Sequence, residues 1–519
     1  MADDARANNK RIAKNTVMLY FRMILMLLIS LYTSRIVLNT LGVIDYGVNN
    51  VVGGVIVMMG FITGSLGAAM SRFITYDLGK GDMEALKKTF GNIVTIYFCL
   101  AGVIFVAGET VGLWFLNTQL QIPDDRMYAA QWVYQLSIFS SMLGVICAPY
   151  NACIVAHEKM SAFAYISIFD AVMRLVNATL LVVIPYDKLI TFALLNFAVG
   201  IIDRIIYGVY TAKNFEEVHT RPCYDKKQFK EIFVFAGWTM NGNLAVMGYT
   251  QGLNMLLNIF FGPAVNAARA IAVRVQMICV QFSNNFLMAS RPQITKSYAA
   301  GDLPYMHKLM MKSSKFAFFI LFFVTLPLML EAGQVLTWWL GIVPEHTVNF
   351  IRLVLVVSML NILGGLIVTC VHATGNLKKF QLVEGSMLLS IVPIAYVLLK
   401  FCGAPPESVF VVHIIVEACT QYARLLIVLP MIKLRLREYF RQVIIPIAFV
   451  AATAPVIPTI AHHYMEENVL TFFVVCTVSV ISSAVFIYTL GCTPHERQLA
   501  VEKTKTMYLK LKQRKRRAI

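Results

Sequence analysis

The chain has 519 residues, 58% of them apolar and only 14% charged, with a mean hydropathy of +0.67. A soluble protein of this length carries about 25% charged residues, so an ordinary soluble enzyme is excluded. The 45 Lys+Arg against 28 Asp+Glu give a net charge of +17. A nucleic-acid binder would spread such an excess over a charged, soluble surface, so the position of the charges decides what they mean.

Runs of about 20 apolar residues are long enough to cross a ~30 Å hydrocarbon core as helices. In chain order the pattern predicts fourteen: 15–38, 46–70, 90–115, 130–156, 161–184, 189–212, 231–259, 264–289, 315–340, 348–373, 380–401, 407–432, 442–462 and 468–491. The expected fold class is therefore an all-α polytopic membrane protein. The connections are too short to hold a soluble domain. The first run is too long for a signal peptide and no small-residue cleavage site follows it, so it is expected to stay as a helix.

An even number of spans puts both ends on one side. With the N-terminus inside, the inner segments hold 34 Lys/Arg and the outer loops three: Arg126, Lys188 and Lys400. That asymmetry predicts cytoplasmic termini. The ten Cys are scattered without a CxxC pair and read as apolar filler, with no metal or redox cofactor expected.

The inner loop SRFITYDLGKGDMEALKK from Ser71 is echoed by SRPQITKSYAAGDLPYMHKLMMK from Ser290, with Ser-Arg, Ile-Thr and Gly-Asp in the same order at an offset of 219 to 220. Leu41-Gly42 matches Phe261-Gly262 at 220. Two elements at one offset indicate a duplication whose unit is six spans. An even-numbered unit gives parallel repeats, with a substrate site expected between the halves near the midplane. The predicted domains are 1–212 (helices 1–6), a cytoplasmic linker 213–230, 231–432 (helices 7–12), an appended helix pair 433–491 and a basic cytoplasmic tail 492–519.

Each ionisable group at membrane depth costs about 2.5 kcal/mol or more on insertion scales and calls for an explanation. Asp170 and Arg174 are four apart on one helix face, Asp203 and Arg204 are adjacent near an inner helix end, and Glu417 and Arg424 share a face seven apart; all six are expected to form structural or coupling ion pairs. Glu109, Glu331 and Arg352 lie near span ends and read as interfacial. Arg22, Arg35, Arg269 and Arg274 have no acid in their own spans, which are the first and the eighth. Their expected partner is an anionic ligand, since the guanidinium fork takes phosphate oxygens bidentately and keeps its proton. Asn49, Asn241, Asn243, Asn254 and Asn266, with Gln251 and further amides in spans 2, 7 and 8, are candidates to hydrogen-bond sugar hydroxyls in a polar cavity.

The stretch NTVMLYFRMILMLLISLYTSRIVLNTLGVIDYGVNNVVGG (Asn15 to Gly54), the loop SRFITYDLGKGD, the segment FGPAVNAARAIA (Phe261 to Ala272) and SRPQITKSYAAGD resemble bacterial O-antigen and capsule polysaccharide flippases of the multidrug/oligosaccharidyl-lipid/polysaccharide exporter superfamily. The resemblance covers essentially the whole chain. It implies two six-helix bundles around a central cavity and bundle rocking that carries an undecaprenyl-pyrophosphate-linked oligosaccharide from the inner to the outer leaflet of the bacterial cytoplasmic membrane. The related lipid II flippases add helices 13 and 14, which form a groove for the lipid tail, and have cavity arginines in helices 1 and 8, to which Arg22 and Arg269 correspond.

Under this reading the arginines capture pyrophosphate, the amides shield the glycan, and the protein is a transporter and not an enzyme. Its partners are the lipid-linked oligosaccharide, membrane lipid and polysaccharide polymerase or ligase machinery, with no nucleic acid; the C-terminal run KLKQRKRRAI reads as resting on anionic lipid. One rival is a proton- or sodium-coupled multidrug antiporter of the same superfamily, which wants carboxylates that span 1 and the apolar length 232–259 of span 7 lack. The other is a membrane-embedded glycan polymerase, ligase or acyltransferase, for which no catalytic motif or large outer loop is present.

Overall fold

The computed structural model describes residues 2–57, 60–118, 122–340, 343–465 and 468–498. The basic run KLKQRKRRAI and most of the predicted tail lie outside them. Helices α1 (Ala2–Val57), α2 (Gly60–Lys80), α3 (Met83–Ala107), α4 (Leu113–Thr118), α5 (Met127–Ala156), α6 (Met160–Val183) and α7 (Lys188–Asn214) form the first half. Helices α8 (Lys226–Phe261), α9 (Pro263–Ala299), α10 (Leu303–Leu330), α11 (Ala332–Leu340), α12 (Thr347–Thr374), α13 (Lys378–Leu389), α14 (Ile391–Cys402) and α15 (Ser408–Met431) follow. The appended part is α16 (Leu436–Tyr439), α17 (Ile445–Thr453), α18 (Val456–Tyr464) and α19 (Val469–Phe486). No strand occurs among the described residues. The protein is an all-α, multi-pass membrane protein.

Twelve stretches of the described residues are long and apolar enough to cross a membrane, against the fourteen expected. The two that fall short are the second and eighth. The second includes undescribed positions. The eighth lies in α9, whose 37 residues exceed the length required, but Asn266, Arg269, Arg274, Asn284 and Asn285 lower its hydropathy.

The duplication is visible in the backbone. Gly42 breaks α1 with φ +76°, and Gly262 separates α8 from α9 with φ +82°. Gly81 and Gly301, again 220 apart, have φ +74° and +77°. After each comes an Asp that caps the next helix: Asp82 accepts from the Ala85 amide at 3.0 Å and Asp302 from the Tyr305 amide at 3.2 Å. Glycine is required at these four turns because a Cβ disfavours the left-handed region. The loops at the Arg126 end repeat as well: Arg126 donates to Asp187 at 2.8 Å, and 220 residues on, His346 bonds Glu407 at 2.6 Å.

Two compact units result. Unit 1 comprises 1–246, 288–306 and 369–385; unit 2 comprises 247–287, 307–368 and 386–519. In unit 1, α5 packs against α3, α7 and α2, and α6 against α1. A core around Val37, Val52, Leu116, Val133, Tyr134 and Leu181 fills one end. The Tyr134 hydroxyl donates to the Gly108 carbonyl at 2.7 Å, inside the π-turn Gly108–Gly112 that joins α3 to α4.

In unit 2, Leu253 and Leu257 of α8 pack with Leu388, Ile391, Val409 and Val412. The appended helices are pinned to this unit at both ends. Buried Lys315 bonds Glu496 at 2.8 Å, and buried Glu331 bonds His462 at 2.9 Å. Glu331, near a span end as its position predicts, is thus also an internal anchor. Arg352 donates to the Met329 carbonyl at 2.9 Å, and Glu109 accepts from Gln135 at 3.2 Å.

Candidate functional site

Unit 1 holds a partly open cavity of about 1050 Å³. Ser137, Ser140 and Ser141 recur at helical i, i+3, i+4 spacing, so α5 turns one hydroxyl-bearing face into it. Asn49, Asn151, Asn196 and Tyr207 add further hydrogen-bonding groups. Its charged groups are Arg174 and Asp203. The sequence reading does not single out the serines, although their spacing carries the signal.

The charges around this cavity depart in part from expectation. Asp170 and Arg174 form the predicted pair, 2.8 Å apart. Asp203 and Arg204 do not pair with each other as predicted. Arg204 lies over the Tyr150 ring, 4.0 Å from its centroid, whereas the Asp203 carboxyl faces that of Asp170, with Arg174 in electrostatic reach. Adjacent residues on a helix point about 100° apart, so sequence adjacency is a poor guide to pairing. The outcome is a cluster, Asp170–Arg174–Asp203, contributed by α6 and α7.

Arg22 sits on α1 within the same unit. It donates to Ser167 at 3.3 Å and lies 4.5 Å from the Phe163 ring centroid. Its Nε is buried without a hydrogen-bond partner. Arg35 is exposed, and Asn241 and Asn243 of α8 are exposed as well.

In unit 2, Arg269 is 5% exposed. It donates to the Thr250 carbonyl at 3.1 Å and to Asn254. Its Nε too is buried without a partner. Arg269 is therefore not an open cation: α8 already holds part of its fork with neutral acceptors. Asn254 also donates to Gln251 at 3.1 Å. Arg274 is exposed, and Asn266 keeps a buried, unpartnered Oδ1.

Beside this lies a buried polar belt that sequence reading found only in part. The predicted Glu417–Arg424 pair is present at 2.7 Å, and Glu417 also accepts from Asn361 at 3.2 Å. Arg424 donates to Gln421 at 2.8 Å. A Cβ at Gly364 would lie 2.8 Å from the Arg424 Nη1, so glycine is what lets α12 approach. His413 packs edge-on to Tyr249 at 4.9 Å between centroids, in electrostatic reach of both Glu417 and Arg269. Glu417 Oε2 and His413 Nε2 are buried and unpartnered.

The nine predicted substrate contacts thus divide between the units: Arg22, Arg35, Asn49, Asn241 and Asn243 in the first, Asn254, Asn266, Arg269 and Arg274 in the second. Arg269 and Asn254 are brought together, and Asn49 lines the cavity of unit 1. The 220-residue register places Arg269 at the counterpart of Asn49, so Arg22 and Arg269 are not repeat mates. Among the described residues no group of three or more His, Cys, Asp or Glu is arranged to hold a metal ion.

No family model matches the sequence, and no curated protein matches it. Solved structures do. A MATE transporter in its bent conformation superposes with a TM-score of 0.71 at 13% identity, covering 82% of this chain and 96% of that one. The fold is that of the MATE transporters. A multidrug resistance MATE transporter of the MOP superfamily in an outward-facing conformation gives 0.70 at 13% identity, over the same shares of the two chains. A MOP superfamily transporter from Pyrococcus furiosus Vc1, described as having a binding pocket of reversed polarity, gives 0.69 at 14% identity.

Proposed function

We propose that the protein moves an anionic, lipid-linked oligosaccharide, of the undecaprenyl-pyrophosphate type, from the inner to the outer leaflet of a bacterial cytoplasmic membrane by alternating access, for cell-surface polysaccharide synthesis. One observation carries the reading: Arg269 is buried and Arg22 part-buried, both are bonded to neutral groups, and both keep a buried Nε–H with no acceptor. A buried cation with an unused donor is costly, and an incoming phosphate oxygen supplies both the missing bond and the missing charge. The hydroxyl and amide groups around the unit 1 cavity suit a glycan.

A second reading, a cation-coupled multidrug antiporter, is favoured by the Asp170–Arg174–Asp203 cluster at the cavity wall. Two facing carboxyls bond to each other only when one carries a proton, which is the chemistry an exchanging cation needs. The structural relatives include drug exporters.

The test uses proteoliposomes. The first reading expects translocation of a polyprenyl-pyrophosphate oligosaccharide, lost by at least about tenfold in R22Q and R269Q and unchanged in D203N. Ethidium efflux driven by a proton gradient, abolished by D203N and indifferent to R269Q, is the result that overturns it in favour of the antiporter.

A further inference from the structure

Glu158 is a buried carboxylate that neither reading uses. It lies in the short turn between α5 and α6, in the left-handed region at φ +59°, and its side chain is 0% exposed. Holding a non-glycine residue there costs on the order of 1 kcal/mol or more, and such strain persists only where the surroundings impose it.

The surroundings are unusually full. One carboxylate oxygen accepts from Lys296 Nζ at 2.9 Å; the other accepts from Gln293 at 2.6 Å and from Arg11 Nε at 2.8 Å. The Glu158 carbonyl accepts from Asn15 at 3.1 Å. Arg11 and Asn15 belong to α1, whereas Gln293 and Lys296 belong to α9. All of them fall in unit 1, so a single carboxylate ties two elements of the first repeat to one of the second.

Two neighbouring contacts join the repeats at the same basic end of the helices. Arg72 of α2 donates through Nε to the His372 carbonyl at 3.2 Å, and a Cβ at Gly375 would lie 2.7 Å from its Nη2. Gly79 of α2 approaches α9 so closely that a Cβ there would lie 2.7 Å from the Lys296 Cα.

We infer that Glu158 is the latch of a gate at the basic end of the molecule. Its ion pairs to Arg11 and Lys296 hold the two repeats together there, and they must part whenever that end opens. The inference rests on the transport reading only for its purpose; the latch is a conformational claim and can be tested without any substrate. The geometry supplies the energetics: breaking a buried pair strands a charge, so the closed state is favoured as long as all three partners stay, and removing the charge releases it.

The experiment reads the reaction of S290C with a membrane-impermeant maleimide added to the basic face, in full-length protein in membrane vesicles, with each labelled cysteine assigned by mass spectrometry. Ser290 lies on α9 before Gln293 and is 0% exposed. E158Q keeps the shape of the side chain but removes its charge, and is expected to raise the S290C labelling rate about tenfold. R11Q, whose wild-type side chain is 45% exposed and leaves no buried cation behind, is expected to do the same to a smaller degree. K88Q, which removes an exposed pair to Asp225 within the first half, is expected to leave it unchanged. Unchanged labelling in both E158Q and R11Q overturns the latch; if E158Q fails to fold, R11Q alone decides. Raised labelling without any translocation of lipid-linked glycan leaves the latch standing and removes the proposed function.

Discussion

Side-chain pairing separates what spacing can predict from what it cannot. Asp170–Arg174 and Glu417–Arg424 were readable because i+4 and i+7 return to the same helix face. Asp203 was not, because its neighbour in space, Asp170, comes from another helix. Nor were His413, Asn361 and Gln421, which join the Glu417 belt only after α12 and α15 pack. The Glu417–Arg424 pair is 0% and 4% exposed, so E417Q should lower stability by about 3 kcal/mol through the stranded arginine, while the paired apolar replacement E417L/R424M should recover most of it. Thermal unfolding in detergent checks both. A gain in stability from E417Q alone would contradict the assignment.

At the loops around Asp187 and Glu407 the acids carry a pH dependence. Asp187 is pushed up by partial burial but held below its ordinary 3.8 on balance by the Ile190 amide, Arg126 and the Leu189 amide. A depressed carboxyl contributes stability above the unfolded value and loses it as the pH falls through the lower folded value. Glu407 follows the same sign from 4.5: burial opposes, and the bond to His346 prevails. These loops should therefore stay closed to protease at pH 5 and loosen only below about pH 4, and D187N should remove that acid transition for the 124–126 turn. Loosening that begins between pH 7 and 6 would refute the assignment.

At the scale of elements, hydropathy located the helices and the gaps between them: the predicted spans stop at 38 and 259 and resume at 46 and 264, on either side of Gly42 and Gly262. Hydropathy does not give the conformation in those gaps, where the chain turns with φ +76° and +82°. The signal for that was the repeat: Gly42 and Gly262, Gly81 and Gly301 recur because the conformation requires them. Placing alanine at Gly262 should cost about 1–2 kcal/mol although nothing lies within 4 Å of its Cβ, since the penalty is conformational. Gly102→Ala, in mid-helix on α3 with equal space, should instead gain about 0.5–1 kcal/mol. Equal effects of the two substitutions would remove the distinction. The eighth span shows the converse limit: α9 has length in excess, but its polar residues take it below an apolar threshold, so the residues that make it interesting also hide it.

For the whole molecule, apolar run lengths and repeat register predicted a polytopic helical architecture that the MATE-like fold bears out. The composition of the compact units was not legible, because it depends on contacts between distant segments: 288–306 and 369–385, both from the second repeat, cluster in unit 1. Under the proposed function the membrane potential is itself a driving force. A pyrophosphate diester carries about two negative charges, and moving it outward across an inside-negative membrane is favoured by about 2.3 kcal/mol per charge per 100 mV. A potassium-diffusion potential of that sign should accelerate translocation in proteoliposomes and its reversal should slow it. Indifference to both would require a compensating ion.

The left-handed glycines at 42 and 262, and at 81 and 301, also bear on descent. Around them the side chains of the two halves have largely diverged, while the turns have not, so what has been retained between the copies is backbone geometry. On that shared frame each copy carries its own charges: Arg126 with Asp187 in the first, His346 with Glu407 in the second.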